Sequence, residues 1–262
     1  MNILFVGDIV GKVGRQALID NLAIVKKKYD ISFVIANGEN ITRGKGISQS
    51  HYQFLISHGV DCVTLGNHYK DKDETAKFID QVDKLIRPLN LSEDYPGEGS
   101  KIFDVDGISI RVTNILGSAY SKIPVKDPYL EAEKIIENDE SDIHIIDYHA
   151  EATGEKQAFA FSLKNTVSAI IGTHTHVQTR DAQILKTGPL YISDVGMCGS
   201  YNSVLGTEIN SVVKRIIFHD ENTHFDYLDK DDTLFSAVVL KFDDLTFKGK
   251  EIIPLYIVNR KG

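Results

Sequence analysis

Hydrophobic residues in the first third of the chain occur in short runs that stop at polar clusters. Runs rich in β-branched residues cover 3–6, 33–36 and 60–65, and the stretches 14–28 and 48–58 between them carry apolar residues at helical spacing. Strands that alternate with helices in this way predict βαβ units around a parallel sheet that is buried on both faces.

The same patterns continue through the rest of the chain. Further helices are predicted over 73–85 and 129–138, and further strands over 101–105, 109–113, 143–148, 169–171, 189–193, 234–242 and 252–258. The Asp106-Gly107 pair between two alternating runs indicates a hairpin. The last three strands are predicted to form a second sheet. Because no repeat or linker divides the chain, we predict one α/β domain over residues 1–262.

Polar side chains that can bind metals follow five of the predicted strands. They are Asp8, Glu39, Asn40, Asn67, His68, His149, His174 and His176. Because the carboxyl ends of parallel strands share one edge of a sheet, we expect these groups to converge there. Carboxylate, imidazole and amide oxygen donors suit divalent first-row metals. Eight polar or ionisable groups at one sheet edge would be electrostatically unfavourable without a cation. Two metals about 3.5–4 Å apart, bridged by a carboxylate, would fit two-metal hydrolysis.

Each of these residues also has a simpler explanation. Asp8 could cap the following helix, Glu39 and Asn40 could be turn residues, and a single histidine beside an apolar run is more often structural. Four of the nine histidines, however, lie directly after predicted strands. The agreement of position and residue type favours the metal interpretation for the group as a whole.

The chain is acidic, with 29 Lys and Arg against 37 Asp and Glu and a formal net charge of -8. Because electrostatic binding along a nucleic-acid backbone usually requires a basic surface, we expect no stable DNA binding. No apolar run approaches the roughly 18 residues of a membrane span, so we expect no membrane association. The first residues lack the basic flank and cleavage site of a secretory signal, which predicts a cytoplasmic protein.

Competing motifs are weaker. The spacing of Gly7, Gly11 and Gly14 matches neither the dinucleotide-binding nor the Walker A pattern, and there is no serine-hydrolase elbow. Two cysteines cannot form a disulfide framework or a cysteine-rich zinc site. We predict that Cys62 belongs to the core and that Cys198 lies in a loop, neither of them catalytic.

A basic, glycine-rich loop follows Asn40. Its cationic residues are Arg43 and Lys45. They could contact a substrate phosphate, or the loop could simply be solvated, and the sequence leaves both alternatives open.

Taken in order, the polar motifs resemble the calcineurin-like metallophosphoesterase superfamily. They are Gly7-Asp8, Gly38-Glu39-Asn40, Gly66-Asn67-His68, His149 and Gly172-Thr173-His174-Thr175-His176. The superfamily usually has Asp-x-His after its first strand and an aspartate as the bridging ligand. This chain has Asp8-Ile9-Val10 and Glu39 instead, and both departures resemble the YmdB family. That family commonly has Trp-Asp after Gly-Asn-His, where this chain has Tyr69-Lys70-Asp71.

The resemblance implies a fold, a set of roles and a chemistry. The fold would be a β-sandwich of two mixed sheets flanked by helices, in four layers α/β/β/α. Asp8, Glu39 and His176 would bind one metal, with Asn40 in place of the missing histidine. Glu39, Asn67, His149 and His174 would bind the other. His68 would face the scissile phosphate and stabilise or protonate the leaving oxygen.

The resemblance also implies phosphodiester hydrolysis with 2′,3′-cyclic nucleotides as substrates, iron or manganese as the two metals, and a homo-oligomer. The ligand types also admit zinc or magnesium, and the acidic surface favours a small nucleotide or a short RNA over a long nucleic acid. Two divalent cations would outweigh the charges of Asp8, Glu39 and a bridging hydroxide, so the acidic surface does not exclude a phosphodiester. A phosphomonoesterase and a metal-binding regulatory or scaffold protein stay open as alternatives. His68 favours an enzyme, because a pure binding site needs no proton donor.

Overall fold

The computed structural model describes residues 1–163, 166–186 and 188–260. Within them the strands are β1 Asn2–Val6, β2 Asp8–Ile9, β3 Phe33–Asn37, β4 Cys62–Thr64, β5 Ser100–Val105, β6 Ile108–Leu116, β7 Ile143–His149, β8 Ala169–Thr173, β9 Gln183–Ile184, β10 Leu190–Ile192, β11 Met197–Ser200, β12 Thr233–Phe242 and β13 Gly249–Asn259. The α-helices are α1 Gly11–Tyr29, α2 Gln49–Ser57, α3 Asp73–Phe78, α4 Pro128–Ile136, α5 Thr153–Ser162 and α6 Ile209–Val212. Short 3₁₀ segments cover Asn67–Asp71 and Ile79–Gln81, and a π-helical turn covers Val213–Ile217.

The strands form two mixed sheets, as the sequence predicts. The first has the order β2-β11-β12-β1-β3-β4, with β13 also paired to β12. In it β1, β3 and β4 are parallel, and β12 runs antiparallel to β1. The second has the order β5-β6-β7-β8-β10-β9, with four parallel strands in the middle and an antiparallel strand at each edge.

Alternation along β1 shows how the layers pack. Ile3 and Phe5 lie in the cluster between the two sheets, together with residues of β7 such as Ile145. Leu4 and Val6 point the other way, into the cluster that includes α1. The outer face of the second sheet packs on α4 and α5, where the ring of Tyr148 stacks on Phe159 with centroids 4.1 Å apart. Helices thus cover both outer faces, and the predicted arrangement of two mixed sheets with flanking helices is confirmed.

Several local predictions were wrong. Helix α3 ends at Phe78 and not near residue 85, because the following segment pairs with β4: Val63 donates its N–H to the Lys84 carbonyl at 2.7 Å and its carbonyl accepts from Ile86 at 2.9 Å. Cys198 lies in β11 rather than in a loop, although both cysteines are buried as expected. Helix α5 was not predicted.

The predicted sheet assignments also need correction. Strands β12 and β13 belong to the first sheet, where β12 covers the free edge of β1, and only β10 of the three late strands lies in the second. The polar clusters consequently follow strands of two sheets, not of one. Among the described residues no helix combines the length and apolar character needed to cross a membrane.

Candidate metal centre

The predicted metal ligands lie where the carboxyl ends of strands from both sheets meet. Asp8 begins β2, Glu39 and Asn40 follow β3, and Asn67 and His68 follow β4, all in the first sheet. From the second sheet, His149 ends β7, and His174 and His176 follow β8. Four of these side chains are buried, namely Asp8, Glu39, Asn40 and His149, and all of them except Asn40 are ionisable. The structure therefore brings the predicted residues of both sheets to one place.

One group of donors surrounds the Nε2 atom of His149. Glu39 Oε1 lies 2.9 Å from it, His174 Nδ1 3.0 Å and Asn67 Oδ1 3.2 Å. Ligand atoms of Glu39, His149 and His174 all lie within 4.8 Å of one another. Carboxylate, amide and imidazole donors in this arrangement could hold one divalent metal.

Neighbouring side chains fix the orientation of both imidazoles. Thr173 Oγ1 donates to Asp147 Oδ1 at 2.6 Å, so it accepts from Nδ1 of His149 at 2.8 Å and leaves Nε2 facing the donor group. His174 Nε2 lies 3.0 Å from Glu151 Oε2, which leaves its Nδ1 for the same group. Such outer partners set the tautomer of a metal-binding histidine. The sequence interpretation missed these roles of Asp147, Thr173 and Glu151.

A second group of donors lies around His176. The Nδ1–H of His176 donates to the Leu205 carbonyl at 2.9 Å, so the Nε2 lone pair faces Asn40 Oδ1 at 3.2 Å and Asp8 Oδ1 at 3.9 Å. Asn40 donates its amide N–H to the Gly44 carbonyl, which turns its oxygen toward the histidine. Asp8 Oδ1 is buried without a hydrogen-bond partner. A buried carboxylate oxygen without a donor is unfavourable, and three facing lone pairs fit a cation.

The backbone that carries the last two histidines is strained. His174 and His176 have φ values of 104° and 65°, in the left-handed region that non-glycine residues rarely adopt. Asp194 holds this turn by accepting the Thr175 N–H at 2.9 Å. The Nζ of buried Lys156 donates to Asp194 at 2.8 Å and to the Thr173 carbonyl at 2.8 Å. Strain kept in place by surrounding contacts is typical of functional sites.

Close packing around the first donor group requires glycine at position 66. A Cβ there would lie 2.2 Å from Glu39 Oε2 and 2.4 Å from His149 Nε2, far inside van der Waals contact. The Gly-Asn-His sequence therefore brings the backbone close to the ligands as well as supplying Asn67 and His68.

Charges at the centre control the protonation of its ligands. Burial lowers the pKa of His149, but the surrounding carboxylates, Glu39 foremost and then Asp8 and Asp147, together outweigh it and raise the pKa to about 9. The pKa of Glu39 falls to about 2, because His149 and His68 outweigh its burial. Burial raises the pKa of Asp8 to about 6, and burial together with charged His149 lowers that of His174 to about 3. In the metal-free protein the Nε2 proton of His149 thus occupies the place that suits a cation.

Metal affinity is therefore expected to rise with pH. A cation can bind Nε2 of His149 only after the proton leaves, so between pH 6.5 and the pKa of about 9 the association constant should rise ~10-fold per pH unit. Below the pKa of about 6, protonation of Asp8 should make the dependence steeper. Titration of metal-free protein with manganese at several pH values would measure this slope. An affinity that does not change with pH would contradict a protonated His149.

His68 lies next to the donor groups without joining them. Its backbone N–H donates to Glu39 Oε2 at 3.0 Å, and its Nδ1 lies 2.7 Å from Asp71 Oδ2. The imidazole is 27% exposed and lines a cavity of about 540 Å³, together with Asn67, His149 and His174. Asp71, three residues after His68 in the motif that departs from the family pattern, orients the ring, a role that the sequence interpretation did not assign.

The basic loop after Asn40 lies outside this cavity. Arg43 and Lys45 are exposed and are not among the described residues that line it. The loop is held by hydrogen bonds from the Gly44 N–H to the Asn40 carbonyl and from the Thr42 N–H to the Gly46 carbonyl. The contact of Arg43 and Lys45 with substrate stays a prediction.

Fold and site together define an α/β protein of two mixed sheets with a cluster of possible metal ligands where the sheets meet. A family model described as YmdB-like protein matches residues 4–255. A Bacillus subtilis (strain 168) relative, named 2′,3′-cyclic-nucleotide 2′-phosphodiesterase, is 40% identical over 259 residues, which cover 98% of this chain and 97% of the relative. The chain belongs to the YmdB-like family.

Solved structures agree with this assignment. A crystal structure from Mycoplasma pneumoniae, described as a novel phosphatase, superposes with a TM-score of 0.93 at 36% identity and covers 99% of this chain and 94% of that one. A Thermus thermophilus structure, described as a hypothetical protein, gives a TM-score of 0.92 at 35% identity and covers 99% and 100%. Two relatives of similar size thus share the whole described fold.

Proposed function

We propose that this chain is a dinuclear metal-dependent phosphodiesterase of small nucleotides, with 2′,3′-cyclic nucleotides as the favoured substrates. The observation that carries the proposal is the meeting of two donor groups beside a cavity that His68 lines. The chain is a hydrolase of phosphoric esters, like its relatives named as a phosphodiesterase and a phosphatase. The name of the Bacillus subtilis relative supports the narrower choice of substrate.

The two donor groups would divide the metals between them. Glu39, Asn67, His149 and His174 would bind one, and Asp8, Glu39, Asn40 and His176 the other. The ligands are hard to intermediate, which favours iron or manganese and admits zinc or magnesium. Bound metals would lower the pKa of water to generate a nucleophile and stabilise charge on the phosphoryl oxygens.

The side chains of this protein would position the substrate and transfer one proton. His68 is held through Nδ1 by Asp71, so Nε2 is the nitrogen free to carry a proton to the leaving oxygen. The backbone bond from His68 to Glu39 fixes the distance of the ring from the donor groups. The cavity volume of about 540 Å³ is in the range of small-molecule sites and suits a mononucleotide.

Substitution of His68 tests this role. We expect His68→Ala to lower kcat by about 10²–10⁴-fold, the usual contribution of general acid catalysis, with the metal content unchanged. Asp71→Asn should give a smaller loss, because the ring stays but loses its orienting carboxylate. The assays are hydrolysis of 2′,3′-cyclic AMP and of bis-p-nitrophenyl phosphate with added manganese, beside elemental analysis. Loss of metal from His68→Ala would show that His68 is a ligand instead.

The wild-type protein gives the test of the function itself. Protein shown by elemental analysis to carry two metals should hydrolyse the phosphodiesters, and absence of turnover would contradict the proposal in favour of a regulatory or scaffold role. Preference for monoesters over diesters would instead indicate a phosphomonoesterase. The single domain, the homo-oligomer and the cytoplasmic location expected from the sequence stay predictions.

A further inference from the structure

One wall of the cavity is formed by the loop of residues 117–123, here called the cavity loop. Its lining residues are Gly117, Ala119, Tyr120, Ser121, Lys122 and Ile123. The other walls include His68 and His149 of the candidate metal centre. A group bound at the centre would therefore have the cavity loop beside it.

Buried Asn90 clamps the two ends of the cavity loop together. Its Oδ1 accepts the Leu116 N–H at 2.9 Å, and its Nδ2 donates to the carbonyls of Leu116 at 2.9 Å and Lys126 at 3.1 Å. Glu155 on α5 holds the first half, because its Oε1 accepts the N–H groups of Ser118 at 2.6 Å and Ala119 at 3.0 Å. The backbone that leads to Tyr120 is thus fixed on the protein.

Tyr120, at this fixed position, combines an unfavourable backbone conformation with an exposed side chain. Its backbone has a φ of 61°, unfavourable for a residue with a side chain, and its side chain is 83% exposed. Among the described lining residues it is the one Phe, Tyr or Trp. Strain and exposure of a large aromatic ring bring no stability to the folded chain, which points to a role in binding.

Lys122 adds a cation to the same wall. It is exposed, and it is the one Lys or Arg among the described residues lining the cavity. A cationic and an aromatic side chain on one loop of the cavity match a ligand with both a phosphate and a flat base.

We propose that the cavity loop recognises the nucleoside part of the substrate: Tyr120 stacks on the base and Lys122 contacts a phosphate oxygen. This inference rests on the proposed function and deepens it, because it names the residues that would recognise the base and a phosphate oxygen of a nucleotide substrate. Stacking tolerates every base, since each has a π face, so the cavity loop would select for the presence of a base more than for its identity.

The test compares a substrate that has a base with one that lacks it. The pair is 2′,3′-cyclic AMP and methyl riboside 2,3-cyclic phosphate, assayed with manganese-loaded protein. Tyr120→Ala should raise KM for the nucleotide about 10- to 100-fold with little change in kcat, because stacking acts equally in the bound and transition states. The base-free substrate should show no such change. Tyr120→Phe should behave as wild type, and Tyr256→Ala is the control for an exposed tyrosine on β13.

Binding of the product separates this inference from the proposed function. Calorimetry should show 3′-AMP binding about 10- to 100-fold more weakly to Tyr120→Ala than to wild type, whether or not either protein turns over. If the wild type binds 3′-AMP but hydrolyses neither substrate, the proposed function fails while base recognition stands. Equal affinity of 3′-AMP for wild type and Tyr120→Ala, or equal KM for the nucleotide, would overturn the role of Tyr120.

Discussion

Replacing Glu39 with glutamine is expected to lower phosphodiester turnover by ~10³-fold or more and to reduce the content of both metals. The side chain is 1% exposed and uses both oxygens, Oε1 toward Nε2 of His149 and Oε2 toward the N–H of His68. Glutamine keeps the shape but removes the one charge proposed to be shared by both donor groups. Several kcal/mol of charge stabilisation correspond to at least three powers of ten in rate.

Elemental analysis and hydrolysis of 2′,3′-cyclic AMP would measure both effects on the same sample. Glu137→Gln, a conversion of the same type at the exposed end of α4, should leave metal content and turnover unchanged. A Glu39→Gln protein that retains two metals and full activity would show that Glu39 does not bridge the two groups.

Lys156→Met is expected to destabilise the protein by about 3–5 kcal/mol, the usual effect of removing one partner of a buried ion pair. The change leaves the carboxyl group of Asp194, 1% exposed, without its cation, while the carbonyl of Thr173 loses a donor. In a chain of this size each kcal/mol lowers Tm by about 2–4 °C, so we expect a fall of about 10 °C. The turn that carries His174 and His176 should loosen at the same time.

Thermal and urea unfolding would measure this loss. Lys250→Met breaks the surface pair with Asp243 and should lower stability far less, because solvent screens an exposed ion pair, which makes it the matched control. The double variant Lys156→Met with Asp194→Asn should recover part of the stability, because it no longer buries an unpaired charge. A cost for Lys156→Met as small as that of the surface control would contradict the importance of the buried pair.

The sequence predicts the elements of this fold better than their assembly. Runs of β-branched residues located β1, β3 and β7 to within a residue or two, because burial on both faces makes such strands apolar throughout. The same apolar character does not show to which sheet a strand belongs. The sequence of β12 resembles that of any buried strand, although β12 pairs with β1 and not with the second sheet. Helix α3 ends earlier than predicted because the segment that follows it pairs with β4, and this pairing competes with the local helical pattern.

The meeting of the candidate metal ligands could be predicted from sequence, because they are chemically distinctive residues near strand ends. The residues around them could not, since their roles depend on distances that no local pattern encodes. In the sequence Asp71 has no feature that distinguishes it from other polar residues, but in the fold it lies 2.7 Å from His68. Likewise Asp147 is a single polar residue within an apolar strand, and only the fold shows that Thr173 donates to it. The roles proposed for Tyr120 and Lys122 come from a cavity that forms only in the folded chain.

The origin of the ligands in two sheets bears on the order of events during synthesis. Asp8 and His176 lie at opposite ends of more than half the chain, and their side chains meet only after the sheets have docked. A nascent chain shorter than about residue 176 would therefore lack a complete set of the proposed ligands for either metal, and uptake would follow assembly of both sheets. Metal bound afterwards would favour the docked state by mass action. A shortage of metal during growth would then appear first as looser packing between the two sheets.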